Sequence, residues 1–555
     1  MNKIFRNSLF MLTAGVLAVA CADYNETNDF SVASDPSYAL PYSNLGAVKS
    51  YLNKADYPNL SIETAVDLKE FNEQKAAKAI SHAAALTNFS SLSFGYSFMP
   101  AKYVSSKGYM NFMDLKSGLS LMESIGGQVY GSPIAANEQQ SDDWFSTLTA
   151  PIEVQVLPIE DTEIDYTTID EFTGNAVSGK PSIVKNYDDK GNALKIPKRA
   201  KVWIVQDFPL DPQGYYTITF TVKSEIDKDQ NIYCTFADNK IMSGSEPKPY
   251  TVRPGGWQTV KVEAAPAEGA TQAYLMIEGN LNTVLYIRNV KVSHTPDNHR
   301  EQTAEEISDT IHYAINKWCD GLMQANAGRI KSFDLIDKAI DTKEKLENGK
   351  YDLKHSTEKI FWQDIFGSEN YAPVVSKAAS EAFVKYGGNL ADLKFFISET
   401  GLEKQDRFES LKYWMDIWEA KGAKIDGINA ELNLSYSEDP TTQAANEATL
   451  NTLLDNLAAT GKLIRLSNFD IKYQDATGAK VITDNITATQ RQKLADYYAF
   501  VIKAYMTRIP TNQQNGLCKG NMVDTSDPVG LWTLKDNDWV RNATYEAFCK
   551  ALSGK

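Results

Sequence analysis

Carboxylic acids stand at the ends of several predicted strands in this chain. An apolar run over Ile330–Ile336 predicts one such strand, and the turn at Asp337-Lys338 leads into a helical pattern over Ala339–Asp341. Carboxyl groups that lie close together can act as acid, base or nucleophile, which makes these positions candidates for chemistry. The candidates at predicted strand ends are Asp337, Glu399, Glu431, Asp470 and Asp524. The alternative is that they are structural groups paired with lysines such as Lys338.

Strands and helices alternate on both sides of a long β-rich stretch, and this alternation must position the candidates. Helical periodicity over Leu68–Leu86 and Leu115–Ile125 precedes a strand at Gln128–Ala136, and it returns over Thr303–Met323. Alternating strands and helices predict a parallel sheet with crossover helices. Residues 41–150 and 297–555 together suit one (β/α)8 TIM barrel, in which active sites lie at the carboxyl ends of the strands.

The stretch between these two parts, residues 151–296, has no helical period. Its predicted strands, separated by Gly, Pro, Asn and Asp turns, are Val202–Gln206, Tyr215–Lys223, Ile232–Ala237, Trp257–Glu263, Gln272–Glu278 and Val284–Val292. Such spacing favours an antiparallel jelly-roll sandwich. The predicted fold class is therefore α/β, a TIM barrel interrupted by an inserted all-β sandwich.

Two segments of the predicted barrel carry a family resemblance. Phe333–Ile340, FDLIDKAI, resembles the Trp-Asp-Val-Val-Asn-Glu-Ala-Ile segment of glycoside hydrolase family 10, the endo-β-1,4-xylanases. Ile464–Ile471, IRLSNFDI, resembles the family's Ile-Thr-Glu-Leu-Asp-Ile segment. In this alignment Lys338 stands where the family has its catalytic acid/base, and Asn468 stands where it has its nucleophile.

Other barrel segments resemble the family in scaffold rather than in chemistry. Lys424–Leu434 is similar to Pro-Ile-Asp-Gly-Ile-Gly-x-Gln-x-His-Leu, with Glu431 in place of the glutamine. Val129–Asn137 takes the place of a family strand that carries two histidines, and this chain has Ser132 and Asn137 at those two positions. Retaining hydrolysis requires two carboxyl groups about 5–5.5 Å apart. The resemblance therefore implies a barrel that does not hydrolyse glycans by the family mechanism.

The predicted sandwich resembles the carbohydrate-binding modules of families 4, 9 and 22 in the order and spacing of its landmarks. This resemblance implies aromatic rings that stack on sugar rings. The candidate rings are Trp203, Tyr215, Tyr216 and Trp257. Strand alternation puts Tyr215 and Tyr216 on opposite faces, and the two tryptophans suit a core position as well as a binding face. The barrel cleft is a second candidate for binding, through Trp362, Trp532 or Trp539.

The first residues predict export and anchoring. In residues 1–20, Lys3 and Arg6 precede an apolar run that ends in small residues before Cys21, as in a secretory signal. Leu17–Cys21 resembles a bacterial lipobox, whose cysteine is acylated; an ordinary signal with an incidental cysteine is the alternative. Residues 21–40 predict an acidic tether similar to the surface-export signal of Bacteroidetes lipoproteins. We expect a lipid anchor in the outer membrane and exposure at the cell surface.

Composition excludes some classes of partner. A formal charge of −15 and a pI near 5.0 argue against nucleic acid, because phosphate binding requires a basic face. The cysteines after Cys21 show no CxxC spacing, and the five histidines form no HExxH set. The sequence therefore predicts neither a metal site nor a cofactor.

Together these features predict a surface lipoprotein that captures a plant β-glycan, xylan by resemblance, without cutting it. Its partners would be the polysaccharide, the membrane and components of an outer-membrane glycan transporter. One alternative is an active endo-xylanase-like hydrolase that uses other carboxylates, Asp337 and Glu431 first. Another is a structural or protein-interaction lipoprotein with no affinity for sugar.

Overall fold

The computed structural model describes residues 42–73, 79–131, 133–138, 140–243, 245–278, 282–535 and 538–554. The chain forms two compact units: Ala150–Gln302 is one, and the segments before and after it form the other. The predicted signal, Cys21 and the tether lie outside the described residues, as does Ser132. Among the described helices, none is both long and apolar enough to cross a membrane.

Parallel strands build the main sheet of the first unit. Within the described residues they are β1 Ser61–Ala65, β2 Ser91–Ser93, β3 Gln128–Tyr130 with a continuation at Ala135–Ala136, β4 Ser332–Asp337, β5 Lys394–Thr400, β6 Gly427–Glu431, β7 Leu463–Ser467 and β8 Gln514–Lys519. Consecutive strands pair, and β8 pairs with β1. The ring closes between β3 and β4, where Ala135–Ala136 pairs with β4 and Gly131 bridges to Phe333. The predicted (β/α)8 barrel is confirmed.

Helices alternate with these strands along the chain. The described α-helices are Leu68–Glu73, Ala79–Asn88, Pro100–Tyr103, Met113–Ser124, Asp142–Leu148, Ala304–Asn326, Trp362–Phe366, Tyr371–Lys385, Gln405–Ala420, Pro440–Ala459, Ala488–Arg508 and Ala543–Leu552. Helix Ala304–Asn326 begins at a capping box, in which Thr303 and Glu306 each accept a hydrogen bond from the other's N–H. Its buried face follows helical spacing through Ile311, Ile315 and Trp318.

Three short ladders extend the loops after the barrel strands β4, β6, β7 and β8. Ile340–Lys345 pairs with Tyr351–Leu353, Leu434–Ser437 with Ile471–Gln474, and Trp532–Lys535 with Asp538–Arg541. The first ladder shows that the helical pattern predicted over Ala339–Asp341 is wrong. Lys338 directly follows β4 and has a φ of 49°, and the N–H of Ile340 then donates to Glu399 Oε2 at 3.2 Å. Because Glu399 belongs to a neighbouring strand, local spacing carries no information about this bond.

The second unit consists of two antiparallel sheets that share one core. Sheet A runs in the order Asn239–Lys240, Gln230–Phe236, Ala273–Glu278, Lys201–Phe208 and Ala176–Ser178, with Tyr250–Val252 beside Gln230–Phe236. Sheet B runs in the order Gln258–Ala264, Tyr215–Ser224, Leu285–Thr295, Ala193–Ile196 and Ser182–Val184, with Ile159–Asp165 beside Leu285–Thr295. Alternate residues of both sheets, among them Val202, Ile277, Ile218 and Phe220, fill the core. Each of the six strands predicted from the sequence is present.

Candidate functional site

Lys338 organises the rim at the carboxyl end of β4. Its left-handed backbone is held by an N–H bond to the Ser398 carbonyl at 2.8 Å. The side-chain Nζ lies 2.8 Å from Glu431 Oε1 and 3.7 Å from Asp337 Oδ2. A lysine ammonium therefore joins the carboxylates of the last residues of β4 and β6.

Asp337 is buried beside this ammonium. Burial raises the pKa of Asp337 to about 6, Glu431 adds to the rise, and Lys338 opposes it. Ser398 also opposes the rise with a hydrogen bond. Asp337 can thus hold a proton near neutral pH, with the Lys338 ammonium 3.7 Å from its Oδ2.

Glu399, at the end of β5, is fixed by a buried ion pair. Arg407 NH2 lies 2.7 Å from Glu399 Oε1, and both side chains are less than 10% exposed. The carboxylate also accepts the N–H groups of Ile340 at 3.2 Å and Thr400 at 3.0 Å. Burial raises the pKa of Glu399, and Arg407 opposes that rise. These contacts fasten the Ile340–Lys345 strand to the barrel, so the role of Glu399 is structural.

Asp470, in the loop after β7, is paired with Lys519 at the end of β8. The Lys519 side chain is fully buried, and burial lowers its pKa while Asp470 opposes the change. Asp470 further accepts bonds from the Asn521 backbone N–H at 3.2 Å and from its side-chain amide at 2.6 Å. Asn468, the residue at the nucleophile position by resemblance, has a φ of 51° and donates to the Leu432 carbonyl at 3.1 Å. This part of the rim is therefore a set of loop anchors.

Asp524 completes the set of predicted carboxylates. Its oxygens lie 2.7 Å from Arg491 NH2 and 3.1 Å from Arg491 NH1, and they accept bonds from Gly530 N–H and the Thr533 hydroxyl. Every one of the five candidates thus contacts a basic side chain.

A buried charged layer lies inside the barrel below the rim, and the sequence analysis missed it. Arg465 of β7 pairs with Glu63 of β1 at 2.8 Å, and its guanidinium lies 3.8 Å from the Tyr130 ring centre. Asp334 of β4 accepts bonds from the Tyr130 hydroxyl at 2.7 Å and from the Asn429 amide at 3.1 Å. Burial raises the pKa of Asp334 to about 7, although Arg465 opposes the rise. Charged residues inside otherwise apolar strand patterns were the signal that could have revealed this layer.

The tryptophans proposed for the barrel cleft are mostly inside the fold. Trp362 is 0% exposed and Trp532 is 2% exposed, so neither offers a ring to a ligand. Trp539 is half-buried, with its ring 5.7 Å from that of Trp532. The prediction of a cleft lined by exposed Trp362 and Trp532 is wrong, because both rings fill the barrel core.

The four ring candidates in the second unit have different surroundings. Tyr216 is fully buried, its ring 4.8 Å from Phe236, so its predicted role as a binding face is wrong. Tyr215, its neighbour on the opposite side of sheet B, is 53% exposed. Trp203 is half-buried on sheet A, and Trp257 is half-buried with the Arg288 guanidinium 3.9 Å from its ring centre.

The thiols and metal-ligating side chains show no reactive grouping in the described residues. Cys234, Cys319, Cys518 and Cys549 are free and buried, and burial raises the pKa of Cys234 and Cys518 to about 12. No group of three His, Cys, Asp or Glu side chains in the described part of the chain has the geometry to hold a metal ion.

Comparisons with known proteins agree with the barrel topology. Xylanase B from Clostridium stercorarium F9 is similar over 91% of this chain and 99% of its own, with 11% identity and a TM-score of 0.51. The Penicillium canescens endo-1,4-beta-xylanase XylE is similar over 91% of this chain and 98% of its own, with 13% identity and a TM-score of 0.48. No curated protein sequence matches this chain. At 11% identity the likeness to the Clostridium protein establishes the fold alone. The sequence profile of glycosyl hydrolase family 10 matches residues 290–546, so this part of the chain is similar to that family in sequence as well as in fold.

Proposed function

We propose that this protein binds a plant β-glycan, with xylan as the first candidate, and does not cleave it. The similarity of residues 290–546 to glycosyl hydrolase family 10 supports a xylan-related ligand. The observation that carries the non-catalytic role is the contact of Lys338 Nζ with Glu431 and Asp337. A cation stands where the resemblance places the acid/base carboxyl.

The chemistry of the two substituted positions supports the same proposal. A retaining glycosidase protonates the leaving oxygen with one carboxyl group and attacks the sugar with another. The ammonium of Lys338 releases its proton far less readily than a carboxylic acid near neutral pH, and the amide of Asn468 is neither charged nor a usable nucleophile. The rim retains charges, but they stabilise loops.

A hydrolase that uses Asp337 and Glu431 is the second candidate, because one observation favours it. Burial raises the pKa of Asp337 to about 6, and a carboxylic acid of that strength can protonate a leaving group near neutral pH. Glu431 would then have to act as the nucleophile while Lys338 Nζ lies 2.8 Å from it. An ion-paired carboxylate is a weakened nucleophile, so we place this candidate second.

The proposal includes a location. A lipid anchor at Cys21 would hold the protein on the outer membrane, facing outward, where captured glycan passes to neighbouring enzymes and transporter components. Incorporation of labelled fatty acid into the wild type and not into a Cys21→Ala variant would support the anchor. Equal labelling of both would contradict it.

Native affinity electrophoresis of the full chain tests the binding function. Gels that contain xylan, mannan or mixed-linkage β-glucan are run beside gels without polysaccharide. We expect retardation by at least one β-glycan, xylan first, together with no increase in reducing ends when the same sample is incubated with that glycan. Unretarded migration in every gel would contradict binding and favour a protein-interaction role. Release of reducing ends would favour the hydrolase.

A further inference from the structure

Two turns of the second unit carry exposed cations and no acidic residue. The first turn is residues 179–181 and the second is residues 197–200, and each of them crosses between sheet A and sheet B. Their charged side chains are Lys180, Lys198 and Arg199, and all three are exposed. The whole chain has a formal charge of −15, so a concentration of positive charge in these turns is unusual for it.

Close packing holds the two turns side by side. A Cβ atom on Gly179, whose φ is 86°, would lie only 2.5 Å from Ala200 Cβ, so the two backbones approach to a distance that glycine permits. The Ser178 hydroxyl donates to the Arg199 carbonyl at 3.4 Å and accepts the N–H of Lys201 at 3.1 Å. The three cations therefore belong to one compact region of the sandwich. We call these two turns, with their three cations, the basic corner.

Ion pairs do not cancel the charge of the basic corner. In the part of the chain that the structure describes, Lys180, Lys198 and Arg199 form no ion pair with a carboxylate. Lys201 follows the second turn and pairs with Glu278, so that pair adds no net charge.

Other charges around the basic corner occur next to a charge of opposite sign. They are Lys185 with Asp170, Lys223 with Asp188, and Lys190 with its chain neighbour Asp189. Lys195 lies opposite Tyr286, whose hydroxyl donates to Glu225, so these two charges also offset each other. The remaining positive charge is that of the basic corner.

An acidic loop at residues 225–229 lies at the same end of the sandwich. The register places Ser224 opposite Leu285, and Leu285 opposite Ile196, so two strand spacings separate this loop from the second turn. Two spacings are about 10 Å, which is about one Debye length at 0.1 M salt. The loop therefore weakens the field of the basic corner without neutralising it.

The opposite edge of sheet A has a different charge pattern. Lys240 and Lys248 are exposed there, and Asp238 and Glu246 are exposed beside them in the chain. Cations and anions alternate at that edge, whereas the basic corner has cations alone. The opposite edge therefore supplies a matched control.

The position and composition of the basic corner favour a membrane surface as its partner. Cations at the tips of neighbouring turns can all contact a flat anionic surface at once. Val177, on the strand before the first turn, is 62% exposed and adds an apolar contact. Each Lys or Arg near an anionic lipid surface strengthens binding about fivefold, and apolar side chains beside cations strengthen it further.

We propose that the basic corner contacts the anionic surface of a membrane. The inference rests on the proposed location of the protein at the outer membrane and adds which part of the second unit lies against the lipid. Lipid phosphate groups accept hydrogen bonds from the two ammonium groups and the guanidinium group, while Val177 contacts the apolar boundary below them.

The test measures binding of the full chain to vesicles of phosphatidylcholine and to vesicles of an equimolar mixture of phosphatidylcholine and phosphatidylglycerol. One variant combines Lys198→Glu with Arg199→Glu. The matched control combines Lys240→Glu with Lys248→Glu, which changes the net charge by the same amount. Residues 1–21 are identical in every protein, so their contribution to vesicle binding is the same. Thermal unfolding establishes that each variant is folded.

We expect the wild type to prefer the mixed vesicles by at least about tenfold, and the corner variant to bind them at least about tenfold more weakly than the wild type. The control should stay within about twofold. Raising the salt concentration to about 1 M should remove most of the preference, because the Debye length falls to about 3 Å.

Three outcomes would overturn the inference. Equal binding of the wild type to both kinds of vesicle would refute an anionic lipid partner. Equal losses in the corner variant and the control would show that net charge, not the basic corner, determines binding. Displacement of the wild type from vesicles by soluble polygalacturonate that binds more tightly than the vesicles would identify an acidic polymer as the partner.

Glycan retention, measured on the same proteins by affinity electrophoresis, separates this inference from the proposed function. Retention of a β-glycan without preference for anionic vesicles would refute the inference alone. Preference for anionic vesicles without retention by any β-glycan would refute the proposed glycan binding alone.

Discussion

At the barrel rim, charged side chains form ion pairs: Lys338 pairs with Glu431, and Arg407 pairs with Glu399. On the outer face of sheet A, the half-buried rings of Trp203 and Tyr274 meet edge to face, and the same face carries the Lys201–Glu278 ion pair. The two regions use their side chains in different ways. The charged groups of the rim are paired with one another, whereas the rings on sheet A meet edge to face. The pairing of the rim charges is what supports the proposed non-catalytic role.

The largest effect is expected from the charged layer inside the barrel. Arg465 and Glu63 are each 2% exposed, so an Arg465→Met variant leaves a buried carboxylate without its cation. We expect its free energy of unfolding to fall by about 3–5 kcal/mol, measured by urea denaturation. In the control, Arg508→Met breaks the exposed pair with Asp455 and should cost about 1 kcal/mol or less. Equal losses in the two variants would contradict a structural role for the buried pair.

The pH dependence of barrel stability gives a second test of the same layer. Because its pKa is raised to about 7, Asp334 keeps its proton in the folded state at pH values at which the unfolded chain has already lost it. Its contribution to stability is therefore present at low pH and is lost as pH rises from about 4 to about 7. The free energy of unfolding of an Asp334→Asn variant should fall less steeply with pH, by up to about 4 kcal/mol less than that of the wild type across this window. Identical pH profiles for variant and wild type would show that the carboxyl is not protonated in the fold.

A structural role for Trp257 predicts a smaller effect. Trp257→Ala removes the ring under Arg288 and the bond to Asp188. We expect the second unit to lose about 2 kcal/mol, less than a fully buried tryptophan would cost, while glycan affinity is unchanged. The measurement is thermal unfolding together with affinity electrophoresis. Loss of affinity without loss of stability would show that this ring contacts the glycan.

The smallest effect is expected at the barrel rim, from the pair formed by Lys338 and Glu431. The Lys338 and Glu431 side chains are 25% and 23% exposed, so solvent screens their pairing. We expect Glu431→Gln to change the free energy of unfolding by about 1 kcal/mol or less and to leave glycan retention unaltered. A weakened retention would place the ligand at the barrel rim.

The local pattern of the sequence was enough to predict the barrel strands, the long helices and the main strands of the sandwich. Alternation and helical spacing are local properties, and residues such as Ile311 and Trp318 display them within one element. Contacts between elements were not predictable in the same way. The helix expected at Ala339–Asp341 became a strand because Glu399 binds its backbone from β5.

The positions of the candidate carboxylates were predictable from the sequence, whereas their contacts were not. Asp337 and Glu431 do end β4 and β6, yet their shared contact with Lys338 depends on register between distant segments. Alternation correctly separated Tyr215 from Tyr216 but could not say which of them faces the core. The contact between Tyr274 and Trp203, with ring centres 4.0 Å apart, lies across a strand pair and could not be predicted from local pattern.

One measurement tests the central claim most directly: arabinoxylan is incubated with the full chain and with Glu431→Gln, and retention and new reducing ends are quantified in the same samples. The account predicts that both proteins retain the glycan and that neither releases reducing ends above a protein-free control. Release by the wild type that is lost in Glu431→Gln would contradict it and would show that the rim carboxylates still catalyse hydrolysis.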